Sequence, residues 1–171
     1  MLLHARLKFL LNYDPETGLW TWINDPGRKP QLVGKEAGHL ASLDNSRRIM
    51  IDRVMYRSSR LAWFYMTGEW PTEEIDHKDR DSSNDEWDNL RLASSHDNKC
   101  NTKLNLRNTS GVRGVSWHAT RQKWRAEVDR VHLGLFDTKE EAASVRDAYA
   151  AKWHGDFAQL NPVQKENHSD P

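Results

Sequence analysis

The chain has 171 residues, 37% hydrophobic and 29% charged, with 25 Lys and Arg against 25 Asp and Glu. That length admits one ordinary domain or two small ones, and no window approaches the roughly 18 apolar residues of a membrane span. The single cysteine, Cys100, excludes an internal disulfide and a Cys-rich zinc centre and suits a reducing cytoplasm. The neutral total hides an asymmetry: residues 76–100 hold four Lys/Arg against seven Asp/Glu, and residues 101–136 hold seven against two. An acidic segment followed by a basic one hints at a cation site beside a polyanion contact.

In chain order, Leu3, Leu7, Leu10 and Leu11 recur at helical spacing and predict a helix ending at Asn12, with Pro15 and Gly18 as turn formers. Arg6 and Lys8 interrupt the apolar run and no small-residue cleavage site follows, so the start reads as a helix and not as a signal peptide. LWTWI (19–23) predicts a short strand. AGHLASL and RRIMIDRVMYR predict a strand pair joined at DNS, with Ile49, Ile51 and Val54 alternating. Ser58 or Ser59 is placed to cap a helix through RLAWFYM that Gly68 stops. Glu74–Asp76 and NLRLA (89–93) read as extended, separated by a polar loop, and Ser94 or Ser95 is placed to cap a helix through HDNKCNTK. From Gly111, three short strands precede a helix opened by a Thr138–Glu141 capping box and ended by Gly155. Its predicted packing face is Ala142, Val145, Ala148, Tyr149 and Trp153, and Trp20, Trp22 and Trp63 are assigned to packing.

The chemistry concentrates between Asp76 and Asn98. Strand, loop, strand and helix follow one another within about thirty residues. A carboxylate on the first strand and a carboxamide on the helix would offer hard oxygen ligands to a cation such as Mg²⁺, which keeps several waters. A neighbouring imidazole, with an unperturbed pKa near ~6.5, suits a general base. Asn89, at the start of the second strand, is placed to bridge the loop backbone and hold His77 in register. The same residues are also compatible with a solvated acidic loop. Asp79, Asp81, Asp85, Asp88 and Asp97 show no EF-hand spacing and read as turn residues.

RLAWFYMTGEWPTEEIDHKDRDSSNDEWDNLRLASSHDN resembles the HNH nucleases of the phage and intron homing type. The resemblance rests on an aromatic helix, an acidic-His pair, a polar loop, W-x-NLR and a final Asn, here an HNN variant. It implies a ββα-metal fold that cuts one or both DNA strands. It implies Asp76 and Asn98 as metal ligands, His77 as general base and Asn89 as the residue that orients it. The implied cofactor is Mg²⁺, with Mn²⁺ or another divalent cation as substitutes; no zinc is expected, and Trp87 and Leu90 would hold the hairpin by packing.

GVRGVSWHATRQKWRAEVDRVHLGLFDTKEEAASVRDAYAAKWHGDFAQLN resembles the APETALA-type, or ethylene-response-factor, DNA-binding domain through RGV, KWRAE, HLG-x-F, the TxEEAA helix and the closing LN. That family presents a three-stranded sheet to the major groove. By alternation Trp124, Ala126 and Val128 share one face and Arg125 and Glu127 the other. Arg113, Arg121, Lys123, Arg125, Glu127, Arg130 and His132 are the candidate DNA contacts, and Arg47, Arg48, Arg53, Arg57 and Arg60 a candidate second phosphate surface. Trp117 is assigned to the core.

The expectation is an α+β protein in which a ββα-metal HNH nuclease region is followed by a small three-stranded antiparallel sheet plus one helix. Its predicted parts are an N-terminal helix and hairpin region (1–58), the nuclease (59–104), a linker (105–110), the DNA-reading domain (111–161) and a loose tail (162–171). It would act in the cytoplasm, as a monomer, on double-stranded DNA. The rival reading is a DNA-binding protein that no longer cleaves, or a structure-selective nuclease.

Overall fold

The leucine run closes into a helix two residues sooner than its spacing predicts. In the computed structural model, which describes residues 2–102, 104 and 108–162, α1 (His4–Leu10) buries Leu7 and Leu10. Leu11 then turns to extended backbone, φ −131° and ψ 142°, and begins β1 (Leu11–Tyr13). This strand pairs antiparallel with β2 (Trp20–Trp22), Leu11 opposite Trp22 and Tyr13 opposite Trp20. Alternation now sends Leu11 and Tyr13 inward, so the apolar pattern is kept while its period changes.

β3 (His39–Leu40), β4 (Arg47–Ile51) and β5 (Val54–Arg57) form a three-stranded antiparallel sheet in that order. RRIMIDRVMYR is therefore two strands and not one. The reversal falls at Asp52 and Arg53, both with positive φ (48° and 69°), the signature of a tight hairpin turn. Neither Gly nor Asn announces it; an Arg6–Asp52 ion pair at 3.0 Å accompanies it. Ile49 and Ile51 are buried, whereas Val54, beyond the turn, is 49% exposed.

α2 (Ser58–Thr67) buries Leu61, Ala62 and Phe64 and ends where Gly68 adopts φ 80°, its N–H donating to the Phe64 carbonyl at 2.9 Å. Its N-cap is Arg57, with no side-chain cap; the Ser58 hydroxyl is used elsewhere, as shown below. α1, β1, β2, β4 and α2 share one apolar core that includes Trp20, Ile49, Leu61 and, from the next hairpin, Leu90. Trp63 is half-buried, its ring 5.2 Å from that of Trp87.

β6 (Glu74–His77) and β7 (Leu90–Ala93) form a separate antiparallel pair, with Asp76 opposite Arg91 and His77 opposite Leu90. α3 (Ser95–Cys100) follows. Ser94 Oγ accepts from the Asp97 N–H at 3.2 Å, and the Asp97 carboxylate accepts in return from the Ser94 hydroxyl at 2.6 Å, which closes the helix start.

The chain divides into two units, Met1–Asn98 and Lys99–Pro171. Residues 105–107 of the predicted linker (105–110) and residues 163–171 of the predicted tail (162–171) lie outside the described residues. In the second unit β8 (Val115–His118), β9 (Lys123–Val128) and β10 (Val131–Phe136) are ordered β10-β9-β8, with α4 (Lys139–His154) against them. The capping box is present: Thr138 Oγ1 accepts from the Glu141 N–H, and Glu141 from the Thr138 N–H, each at 3.2 Å. Gly155 ends the helix as predicted.

The packing face of α4 differs from the predicted one. Ala142, Arg146 and Ala150 are buried, at strict four-residue spacing, while Val145 is 39% and Trp153 63% exposed. A charged residue fits the inner face because its guanidinium is matched by Asp147 at 2.8 Å and by the Gln159 carbonyl. Gly114 makes room for it: a Cβ there would lie 2.4 Å from the Glu127 carbonyl oxygen and 3.0 Å from Arg146 Cγ. Trp117, expected in the core, packs edge-on against Trp124 at 5.2 Å and stays 51% exposed.

Candidate active site

The end of β6 carries the two central residues. Asp76 is buried and its Oδ2 accepts from the Nε and Nη2 of Arg91, its cross-strand neighbour, each at 2.8 Å. His77, one residue on, takes the opposite side of the pleat and meets another partner. Its Nε2 lies 2.9 Å from Oδ1 of Asp85, a carboxylate only 1% exposed.

Asn89 sits in the single 3₁₀ turn Trp87–Asn89 that leads into β7. Its Oδ1 accepts from the Asp79 N–H at 3.0 Å, and its Nδ2 donates to Asp79 Oδ1 at 3.0 Å and to the Asn84 carbonyl at 2.8 Å. The Lys78 N–H donates to the Asn89 carbonyl at 2.9 Å. Asn89 thus bridges the loop between the strands, the place its position suggested. Asp79 and Asp81 act as turn residues, accepting from the N–H groups of Asp81 and Ser83 respectively. Burial works to raise the Asp79 carboxyl, but the Asp81 N–H and the Asn84 and Asn89 amides outweigh it and hold it below the usual range.

Asp85 is the acid that the pattern did not single out. Ser58 Oγ approaches its Oδ2 and also lies 3.0 Å from the Arg47 carbonyl. The Tyr13 hydroxyl donates to the Asp85 backbone carbonyl at 2.6 Å. Burial, with the negative charge of Asp85 next, pushes the Tyr13 phenol up, so it stays a donor. Asp85 and Ser58 carried no distinctive spacing: one stood among several loop acids, the other at a helix start where Ser is an ordinary cap.

Asn98 lies on α3 and its Nδ2 donates to Glu74 Oε2 at 2.5 Å, while Ser95 Oγ donates to Glu74 Oε1 at 2.8 Å. Glu74 therefore ties α3 back to the first residue of β6. With its amide nitrogen committed to Glu74, Asn98 has its oxygen as the atom that could ligate a metal. A carboxylate and a carboxamide are hard oxygen donors of the kind that would suit a divalent cation holding several waters.

Strand, pinned loop, strand and helix thus form one ββα unit. Residues 56–100 match the HNH endonuclease family. The chain is also 48% identical over 54 residues, 32% of its length, to Protein 3.8 of Escherichia phage T7, and the match spans 45% of that protein. No solved structure matches. The HNH segment contains all four residues of the Asp-His-Asn-Asn pattern.

Of the candidate second phosphate surface, the structure brings only part together. Arg47 pairs with Glu36 at 2.5 Å and is mostly covered, and Arg60 donates to the Glu73 and Pro71 carbonyls at 3.0 and 3.1 Å. Both tie the fold together. Arg48 and Arg57 share Asp44 Oδ2 at 3.2 and 3.0 Å, and Arg53 lies in the exposed turn.

In the second unit Ala126 and Val128 are buried, which puts Lys123, Arg125 and Glu127 on the opposite face of the sheet. His132 stands opposite Glu127, and Arg125 pairs with Glu127 at 3.0 Å. Lys123 pairs with Asp137 at 3.0 Å. Arg121 and Arg130 occupy the two hairpin turns and are exposed. Arg113 lies in the segment before β8: its N–H donates to Asn161 Oδ1 at 2.7 Å and its side chain to the Thr102 carbonyl. Among the described residues, no helix is long and apolar enough to cross a membrane.

Proposed function

We propose that the protein is a DNA endonuclease of the HNH type that hydrolyses phosphodiester bonds of double-stranded DNA with a divalent cation. The observation that supports it most is the ββα unit itself. Asp76 and His77 end one strand, Asn89 pins the loop beside them, and Glu74 anchors Asn98 to the same strand. Asp76 and Asn98 are the residues that would hold the metal. When bound, Mg²⁺ or a similar ion stabilises charge on the phosphate and on the leaving oxygen.

The protein's own part is proton movement and alignment. His77 takes a proton from a water, whose oxygen bonds to phosphorus as the bond from phosphorus to the 3′ oxygen breaks. The 3′ oxygen is then protonated from solvent, leaving a 5′ phosphate and a 3′ hydroxyl. Asn89 keeps the 79–84 loop from displacing His77. In the second unit, the face carrying Lys123, Arg125, Glu127 and His132, flanked by Arg121 and Arg130, reads the DNA, and Arg113 contributes from the segment before β8. The resemblance of 111–161 to APETALA-type domains and the outward placement of these charges support that role. A reader joined to the nuclease raises its local concentration at the target, which fits a site-specific, homing-type enzyme.

The test is cleavage of supercoiled plasmid with Mg²⁺, with EDTA, and with His77→Ala. Metal-dependent nicks that vanish in the variant while DNA binding persists support the reading. Binding without cleavage across substrates and metals would replace it with a DNA-binding protein that does not cut. A variant that cuts like the wild type removes His77 as base.

A further inference from the structure

A buried carboxylate calls for a function or a neutralising set of contacts. Asp85 is 1% exposed, lies outside the Asp-His-Asn-Asn pattern, and directs Oδ1 to His77 Nε2 at 2.9 Å. Two acceptors cannot bond each other. With a carboxylate oxygen as partner, Nε2 must carry the ring proton, so Nδ1 carries the lone pair.

The carboxylate is itself fixed. Ser58 Oγ holds Oδ2, and Ser58 is the first residue of the ten-residue helix α2, whose positive end favours a negative charge. The backbone is clamped from the N-terminal hairpin: the Tyr13 hydroxyl donates to the Asp85 carbonyl, and the Trp87 N–H donates to the Pro15 carbonyl at 2.9 Å. Gly18 closes the clamp, because a Cβ there would lie 2.5 Å from the Asp85 carbonyl carbon. Three segments far apart in sequence converge on one loop acid.

We propose that Asp85 is the positioning residue of His77. It fixes the imidazole in the Nε2–H tautomer and in one orientation, so that Nδ1 receives the proton of the attacking water. Its carboxylate oxygen faces Nε2 and so also stabilises the imidazolium that forms. This rests on the reading of His77 as general base. A base oriented by a third group is a general arrangement in acid–base catalysis, and here the third group comes from the loop.

The experiment uses the full chain in three forms: wild type, Asp85→Asn and His77→Ala. ¹⁵N-histidine NMR, with His77 assigned by its loss in His77→Ala, reports the tautomer. Single-turnover cleavage reports the rate, and DNA titration the affinity. The wild type is expected to show Nε2–H. Asp85→Asn, whose carboxamide can either accept from Nε2–H or donate to Nε2, is expected to mix tautomers. Its cleavage should slow about 10- to 100-fold at unchanged DNA affinity, a separation that general unfolding would not give.

An Nδ1–H tautomer in the wild type, or wild-type cleavage by Asp85→Asn, overturns the proposal. If Asp85→Asn proves unstable, the wild-type tautomer decides alone: Nε2–H sustains the proposal and Nδ1–H ends it. If His77→Ala cleaves normally, the base assignment fails first. If His77→Ala is inactive and Asp85→Asn is unimpaired, only the role of Asp85 fails.

Discussion

Replacing Gly18 by Ala would perturb the HNH segment from a turn outside the matched residues 56–100. Gly18 has φ +68°, and an added Cβ would meet the Asp85 carbonyl carbon at 2.5 Å, the Glu86 nitrogen at 2.6 Å and the Asp85 carbonyl oxygen at 2.9 Å. All three are backbone atoms, so no flexible side chain can swing away. The left-handed conformation costs an L-residue roughly 1–2 kcal/mol, and overpacking against fixed atoms about 1–3 kcal/mol. The sum is a destabilisation of about 2–5 kcal/mol, a large part of the stability of a small domain. Urea unfolding followed by tryptophan fluorescence suits the measurement, since five of the eight Trp lie in the first unit. The fluorescence midpoint should fall, and cleavage should fall with it at temperatures where the variant is still folded, because the shifted backbone carries Asp85. A variant within about 0.5 kcal/mol of wild type with an unchanged cleavage rate would refute the close approach of this turn to the 85–86 segment.

Four further outcomes are expected. Asn89→Ala removes the bonds to Asp79 and Asn84 and should cost about 1–3 kcal/mol in denaturant melts and lower the cleavage rate. Asn98→Ala should raise the Mg²⁺ concentration for half-maximal nicking about tenfold or more, read by metal titration; no change would remove Asn98 as a ligand. Arg125→Ala breaks a surface pair with Glu127, so stability should shift by less than about 1 kcal/mol, while DNA affinity drops and its salt dependence shallows by about one ion. Asp44 is held at a pKa of about 2 by the Ser46 side chain, the Ser46 N–H and then Arg48 and Arg57, against an ordinary 3.8. Because the folded value is the lower one, its stabilisation is present above pH 3.8 and is lost as pH falls towards 2; Asp44→Asn should flatten acid unfolding in that window.

Much of the fold was legible because its signals are local. The Thr138–Glu141 box, Gly68 and Gly155 mark helix ends, and alternation in KWRAEV separates Ala126 and Val128 from Arg125 and Glu127. The failures share a cause. The turn at Asp52–Arg53 has no Gly or Asn, so RRIMIDRVMYR looks like one strand until a third strand and the Arg6–Asp52 pair are in place. On α4 the predicted apolar stripe lost to Ala142, Arg146 and Ala150, because a buried Arg is visible only once Asp147 and the Gln159 carbonyl are known to reach it. Ser58 or Ser59 was expected to cap the helix; neither does, and Ser58 instead serves an acid 27 residues away.

That last contact shows why the four-residue pattern is an incomplete description of this site. A two-stranded hairpin is marginal in water, and β6–β7 is such a pair. What holds it is a core built largely from outside the matched segment, in which Leu90 packs with residues from α1, β1, β2 and β4. The same elements also set the loop: Tyr13 and Gly18 fix the Asp85 backbone, and β4 shares Ser58 through the Arg47 carbonyl. The pattern supplies groups that can bind a cation and accept a proton. Tyr13, Gly18 and Ser58 set the Asp85 loop that meets His77, while Arg91, Asp79 and Glu74 hold Asp76, Asn89 and Asn98 from within the hairpin unit.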